Sequence, residues 1–263
     1  MEKKLTEYII KRSLLKAILI TLIFQAFNFL VGPIIILLQV EPYTNILFVT
    51  IHAFCLTVSV IIGIMIIRKF KWNFSEIGIR CIQKNSLKNV FYLIPIFIIE
   101  MLPLFTGFRD NGTNVNTIKI LFLLVLHFFV VSIHEEFYFR GIILSLFRNN
   151  IKKAILVSSI IFSAGHFTNI VHVFWGNSEF AFNFISSLML QIINAFIFGV
   201  VYAEIVVITK SLLPVIFFHT LGNFAVNISK ESSIIIGAIQ WSILIVYAIV
   251  MWNRINRTSP DFT

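Results

Sequence analysis

The chain has 263 residues, of which 58% are hydrophobic and 13% are charged, and its mean hydropathy is +0.93. A soluble domain carries about a quarter charged residues, so this composition argues against a soluble enzyme. The net charge of +9 lies mostly in short loops between apolar runs, which indicates the positive-inside bias of a membrane protein rather than a nucleic-acid-binding surface. Two cysteines predict neither a disulfide framework nor a paired cysteine metal site.

The apolar runs predict an all-α polytopic membrane protein, with a single domain over residues 1–263 and about eight transmembrane helices around a polar cavity. The first run is too long for a signal peptide and lacks a small-residue cleavage site, so we expect it to be retained. The fourth run is longer than a bilayer requires, so we expect it to tilt, kink or emerge. The predicted spans are Ala17–Leu38, Ile46–Ile67, Val90–Phe108, Ile118–Phe147, Ala154–Phe174, Phe182–Ile208, Leu212–Ile228 and Ser233–Trp252.

The loop charges predict an orientation for these spans. With the N-terminus inside, the cytoplasmic segments contain seventeen Lys and Arg residues. The outer side contains three, counting Lys119 at the outer end of the fourth span. This asymmetry predicts an even number of spans and places both termini in the cytoplasm. Arg140 is the basic residue that remains inside a span.

The stretch "VSIHEEFYFRG", Val131 to Gly141, carries three charges within an apolar run. Glu136 and Arg140 are four residues apart, so they share a helix face and can pair. That pair could be catalytic or a structural ion pair that fixes helix packing. Glu135 points about 100° away and has no basic residue at four-residue spacing, which suits a general base. The alternative for Glu135 is a carboxylate with a partner on another helix.

Two further motifs lie on later spans. "FSAGH" puts His166 four residues after Phe162, and "HTLGN" puts Asn223 four residues after His219. From the helix rise, Glu135 and His166 lie about 18 Å from the cytoplasmic ends of their spans, Asn223 about 16 Å and His219 about 10 Å. We therefore expect spans four, five and seven to meet around one polar cavity that opens to the cytoplasm.

The remaining ionisable residues of the spans are interpreted as structural. His134 adjoins the charged motif but points to a different face of its helix. Glu100, between Pro95 and Pro103, is expected to line a broken helix, and Glu204 is expected to extend towards the interface. The other members of this group are His52, His127 and His172.

Together these motifs resemble the CPBP family of CAAX proteases and bacteriocin-processing intramembrane peptidases, which includes the type II CAAX prenyl endopeptidases. "EEFYFR" is similar to the family motif E-E-x-x-x-R, "FSAGH" to F-x-x-x-H, and "HTLGN" to H-x-x-x-N. The motifs follow one another in family order. The resemblance implies a catalytic core over about residues 118–252 and a location in the membrane, expected to be a bacterial plasma membrane.

The resemblance also implies roles for the motif residues. Glu135 would activate a water and His166 would help to hold it. His219 and Asn223 would donate hydrogen bonds to the tetrahedral oxyanion. Glu136, paired with Arg140, would orient the first glutamate or the substrate backbone. Members of the family are sometimes classed as metalloproteases, so a divalent metal such as zinc on Glu135, His166 and His219 stays open. The spacing differs from H-E-x-x-H, which favours a metal-independent glutamate mechanism.

The implied activity is hydrolysis of a peptide bond in a small membrane-associated peptide or lipidated protein, within the lipid bilayer and without nucleic acid. The substrate could be a lipidated C-terminal peptide, a bacteriocin leader or a signalling propeptide. One alternative is a role in bacteriocin self-immunity or regulation in which catalysis is not essential. A transporter or channel ranks last because the sequence has no convincing internal repeat. The sequence does not define the oligomeric state.

Overall fold

The protein is described from a computed structural model, which covers residues 13–27, 29–30, 37, 46–82, 91–107, 115–168, 182–229 and 234–258. The described residues form helices joined by turns, and none of them lies in a β-strand. The all-α prediction is therefore confirmed for this part of the chain. The end of the first predicted span, and His172 in the fifth, lie outside the described residues.

Eight α-helices of nine residues or more lie in the described ranges. Helix α4 continues directly into a π-helical segment, Phe137–Ile143, and a short α-helical piece, Leu144–Leu146. Two other helices end in 3₁₀ turns, Leu102–Thr106 after α3 and His166–Thr168 after α5. The α-helices are α1 (Ser13–Phe27), α2 (Ile46–Lys69), α3 (Leu93–Met101), α4 (Val115–Glu136), α5 (Ile151–Gly165), α6 (Phe182–Thr209), α7 (Leu213–Ile228) and α8 (Ile234–Thr258).

Three of these helices contain stretches that are long and apolar enough to cross a membrane: Ile46–Lys69, Ser186–Thr209 and Ile235–Ile255. The described parts of α1, α3 and α7 are shorter apolar helices. Apolar side chains also cover much of the outer surface, and Phe54 and Val246 are more than half exposed. Such a surface is unfavourable in water but suits a hydrocarbon environment.

The third predicted span changes its helical form where the sequence contains prolines. Helix α3 ends at Met101, and the following 3₁₀ turn has Pro103 in its first positions. Proline lacks an N–H donor and its ring crowds the preceding turn, so it interrupts an α-helix unless it stands near the N-terminus. The predicted break in this span is confirmed, and it follows Met101, the residue after Glu100.

Among the helices that carry the three motifs, α4 packs against α7. Helix α5 packs against α6. Tyr138, Phe139 and Ile142 of the π-helical segment are buried in the main hydrophobic cluster. Ser158 of α5 donates a 2.7 Å hydrogen bond to the carbonyl oxygen of Phe139. A π-helical turn changes the regular α-helical bonding pattern, and this hydroxyl gives one of its carbonyl groups a partner from a neighbouring helix.

Candidate active site

The charged motif lies where α4 becomes π-helical. Glu136 is the last residue of α4, and Arg140 lies in the middle of the π-helical segment. The Nη1 atom of Arg140 donates to Oε1 of Glu136 at 3.1 Å, and both side chains are fully buried. The predicted pairing is therefore present. The sequence interpretation assumed a regular α-helix through this stretch, and the π-helical form was not predicted.

His219 of α7 lies between the two glutamates of the motif. Its Nδ1 atom is 2.7 Å from Oε1 of Glu136, and its Nε2 atom is 3.4 Å from Oε2 of Glu135. A neutral imidazole carries one N–H donor, whereas an imidazolium carries two. A neutral ring can therefore donate to one of these carboxylates, and a protonated ring can donate to both.

The two glutamates differ in their access to solvent. The side chain of Glu136 is 0% exposed, whereas those of Glu135 and His219 are 19% and 12% exposed. Glu135 thus combines a histidine partner on another helix with an accessible carboxylate. A partner on another helix was the alternative that the sequence left open for Glu135. The carboxylate of Glu135 stays partly exposed beside this partner, so water or a substrate can reach it.

Aromatic rings surround the buried ion pair. The guanidinium carbon of Arg140 is 4.0 Å from the ring centre of Phe162 and 5.7 Å from that of Tyr202. A cation over an aromatic face is attracted by the ring quadrupole, more strongly when water is excluded. Phe162 of the second motif therefore stabilises Arg140 of the first. Its ring centre also lies 6.3 Å from that of His219.

His166 lies on the far side of Phe162, just after the end of α5. Its ring centre is 5.0 Å from that of Phe162, and its Nδ1 atom is 3.1 Å from the carbonyl oxygen of the same residue. Asn223 is one turn beyond His219 on α7, and both side chains are half-buried. The three motifs thus come from α4, α5 and α7, and Phe162 contacts both histidines of the set.

Two residues that the sequence did not assign to the site lie directly beside it. The ring of Tyr202, from α6, is 5.6 Å from that of His219. Its hydroxyl group donates to the carboxylate of Glu100, which is buried in the last turn of α3 before the break. Glu100 was identified as an intramembrane acid, but no spacing in the sequence connects it with Tyr202.

The comparison with known families covers these same helices. Residues 117–225 match the family model described as "Type II CAAX prenyl endopeptidase Rce1-like". The match covers less than half of the chain and shows an Rce1-like domain at these residues. No curated relative and no solved structure matches the chain. Together with the apolar helices, this domain identifies the chain as an integral membrane protein.

The Rce1-like domain contains all seven motif residues. It includes most of α4, all of α5 and α6, and α7 as far as Ala225. Tyr202 also falls within it, whereas Glu100 precedes it by seventeen residues. The carboxylate that meets Tyr202 therefore comes from the part of the chain before the matched domain.

The sequence left open a divalent metal held by Glu135, His166 and His219. The contacts of these side chains bear on that prediction. Among the described residues, no group of three or more His, Cys, Asp or Glu side chains has an arrangement that could hold a metal ion. Both ring nitrogens of His219 face carboxylates, and Nδ1 of His166 faces a backbone carbonyl. In this arrangement Glu135, His166 and His219 do not fit a three-ligand zinc site.

The other ionisable residues of the predicted spans were interpreted as structural. His134 stacks on Phe24 of α1 and its Nε2 atom is 2.8 Å from the hydroxyl of Ser59 on α2, so it does point away from the site. Glu204 was expected to reach the interface, which is wrong. Its side chain is fully buried, and its carboxylate oxygens have no hydrogen-bond partner among the described residues.

Proposed function

We propose that this chain is an intramembrane endopeptidase that hydrolyses a peptide bond in a small membrane-associated peptide or lipidated protein. The observation that carries the proposal is the convergence of both glutamates of the motif on His219 from another helix. The Rce1-like domain over residues 117–225 supports the same class of reaction. We also propose that both termini of the chain lie in the cytoplasm.

In the proposed reaction Glu135 is the general base. Its carboxylate takes a proton from a water molecule, and the water oxygen attacks the carbonyl carbon of the scissile peptide bond. The resulting tetrahedral intermediate carries the negative charge on its oxygen. Glu135 then gives the proton to the leaving amine nitrogen as the carbon–nitrogen bond breaks, so one water is consumed and a carboxylate and an amine are released. A positioned base and acid of this kind contributes about 10²–10⁴-fold to the rate.

The remaining motif residues stabilise or orient the reacting groups in this proposal. Asn223 supplies an N–H donor in every protonation state, and His219 supplies one from Nε2 when it is protonated. In a serine protease, the loss of one donor to the oxyanion costs about 2.7–4 kcal/mol. Glu136 fixes the His219 ring through Nδ1 and is itself fixed by Arg140. His166 helps to hold the attacking water, and no step requires a metal.

The test is the variant Glu135→Gln, which keeps the shape of the side chain and removes the base. Membranes with wild-type protein and with the variant are compared by mass spectrometry of their membrane-associated and released peptides. We expect products that depend on the wild-type protein, formed about 10²–10⁴-fold more slowly in the variant.

Glu76→Gln is the matched control, since Glu76 pairs with Arg148 at the surface and takes no part in the site. It should form the products at the wild-type rate. Equal product formation by wild-type and Glu135→Gln protein would overturn the proposed mechanism.

A further inference from the structure

A second polar feature lies at one end of the helix bundle, apart from Glu135 and His219. It is a small, partly open cavity of about 30 Å³. The segments that line it are the 3₁₀ turn Phe74–Ile77, the end of the π-helical region, the start of α5 and the end of α6. Glu135, His166, His219 and Asn223 are not among its lining residues.

The lining of this cavity is strongly cationic. Four basic side chains contribute to it, and Glu76 is the one acidic residue among them. Glu76 is already paired with Arg148 at 3.1 Å. The first turn of α5 also contributes through Ile151, and the N-terminal end of a helix favours negative charge. The basic residues are Arg80, Arg140, Arg148 and Lys210.

Arg140 contributes an unsatisfied buried cation to this lining. It is 1% exposed, and Nη1 is bonded to Glu136. Its Nε and Nη2 atoms have no hydrogen-bond partner within the described residues. A buried guanidinium has five N–H groups, and those left unpaired cost free energy. An oxyanion in the cavity would bring negative charge close to these groups.

The surroundings of the cavity indicate an amphipathic ligand. Phe74 and Ile79 are exposed, and they stand on either side of the four consecutive lining residues 75–78. Leu213, at the start of α7, is also exposed. Apolar side chains therefore stand beside a cationic cavity at the ends of apolar helices. In a membrane protein this is the depth of the lipid headgroups, where basic pockets between helices bind anionic lipids.

We propose that this cavity binds the phosphate of an anionic phospholipid, whose acyl chains lie against Phe74, Ile79 and Leu213. The four cations face the headgroup, and the exposed apolar residues face the chains. The lipid site shares Arg140 with the proposed peptidase site, but Glu135, His166, His219 and Asn223 do not line it. Lipid binding can therefore be measured without any substrate.

The experiment measures binding of phosphatidylglycerol to the purified full chain in neutral detergent. Native mass spectrometry counts the retained lipid, and thermal unfolding gives the lipid-dependent stabilisation. The test variant is Arg148→Gln with Lys210→Gln, and both residues lie outside the three motifs. The matched control, Arg68→Gln with Lys152→Gln, removes two exposed charges that do not line the cavity.

We expect the wild-type protein and the control to retain phosphatidylglycerol and to prefer it over phosphatidylcholine. The cavity variant should bind it at least about tenfold more weakly than the control, because each basic residue near a headgroup contributes about 1 kcal/mol. Its unfolding temperature without lipid should match that of the control, so that weaker binding is not a folding defect.

Three results would overturn the proposal. The first is equal phosphatidylglycerol binding by the cavity variant and the control. The second is equal stabilisation of the wild-type protein by millimolar inorganic phosphate, which would make the cavity a site for soluble anions. The third concerns a peptide product of the protease, tested with and without amidation of its C-terminal carboxylate. If amidation weakened binding to the wild-type protein but not to the cavity variant, the cavity would be part of the peptide site.

Discussion

Gly222 gives a sharp test of how Glu100 and α7 fit together. This glycine lies on α7 between His219 and Asn223, and a Cβ atom placed there would collide with the carboxylate of Glu100, with Cδ only 2.7 Å away. Ordinary contact between carbon atoms begins near 3.5 Å. Gly222→Ala therefore requires the carboxylate to move by about 1 Å. Because Tyr202 donates to that carboxylate and both side chains are buried, little space is available for the movement.

We expect Gly222→Ala to lower the free energy of unfolding by about 1–3 kcal/mol, the usual cost of overpacking a core. Helix propensity alone predicts the opposite sign, a gain of about 0.8–1 kcal/mol for Gly→Ala inside a helix. The measurement is denaturant unfolding in mixed micelles, followed by tryptophan fluorescence. Peptide cleavage should also fall, because the displaced Tyr202 ring packs against that of His219.

Gly237→Ala is the matched control for this substitution. Gly237 lies in α8, and a Cβ atom there would meet nothing within 4 Å. This variant should therefore be as stable as the wild-type protein or more stable. If Gly222→Ala were stabilising to the same extent as Gly237→Ala, the close packing of Glu100 against α7 would be refuted.

Three further substitutions test single contacts by the same unfolding measurement. Glu136→Gln removes the counter-charge of the buried Arg140, so it should cost about 3–5 kcal/mol, the usual effect of breaking a buried pair. Ser158→Ala removes the hydrogen bond to the carbonyl of Phe139 in the π-helical segment and should cost about 1–3 kcal/mol. Asn150→Ala removes the N-cap of α5, whose side chain accepts from a backbone N–H at 3.1 Å, and should cost about 1 kcal/mol.

Each of these three substitutions has a control variant for comparison. Glu135→Gln leaves the Glu136–Arg140 pair intact, so a stability loss as large as that of Glu136→Gln would contradict the assignment of the structural pair. Ser242→Ala in α8 removes an exposed hydroxyl bond within one helix and should have little effect, in contrast to Ser158→Ala. For the cap, Asn150→Asp should retain most of the stability that Asn150→Ala loses.

Local sequence patterns predicted the helical class and the bounds of several helices. The apolar run Phe182–Ile208 corresponds to α6, Phe182–Thr209, and Leu212–Ile228 corresponds to α7, Leu213–Ile228. Runs of this kind define a helix because each backbone N–H and C=O must be bonded within its own segment in an apolar environment. The pair of Glu136 and Arg140 was predictable for a similar reason, since both residues lie on one helix four positions apart.

The contacts between helices required the tertiary structure. From the helical spacing, Glu135 and Glu136 were predicted to point in different directions around α4. His219 nevertheless contacts both, because α7 packs against α4 where the π-helical segment begins. The meeting of Tyr202 with Glu100 joins residues 102 positions apart. No periodicity within one segment contains that information.

The sequence by itself determined the helical class, the membrane environment, the buried ion pair and the three motifs, because each depends on composition or on spacing within one helix. Only the tertiary structure decided that His219 lies between two carboxylates, that Phe162 shields Arg140, and that four basic residues line one cavity. The physical reason is that the rotation and separation of packed helices depend on side-chain shapes from several segments together. The charges in "VSIHEEFYFRG" were visible in the sequence, but their partners came from other helices.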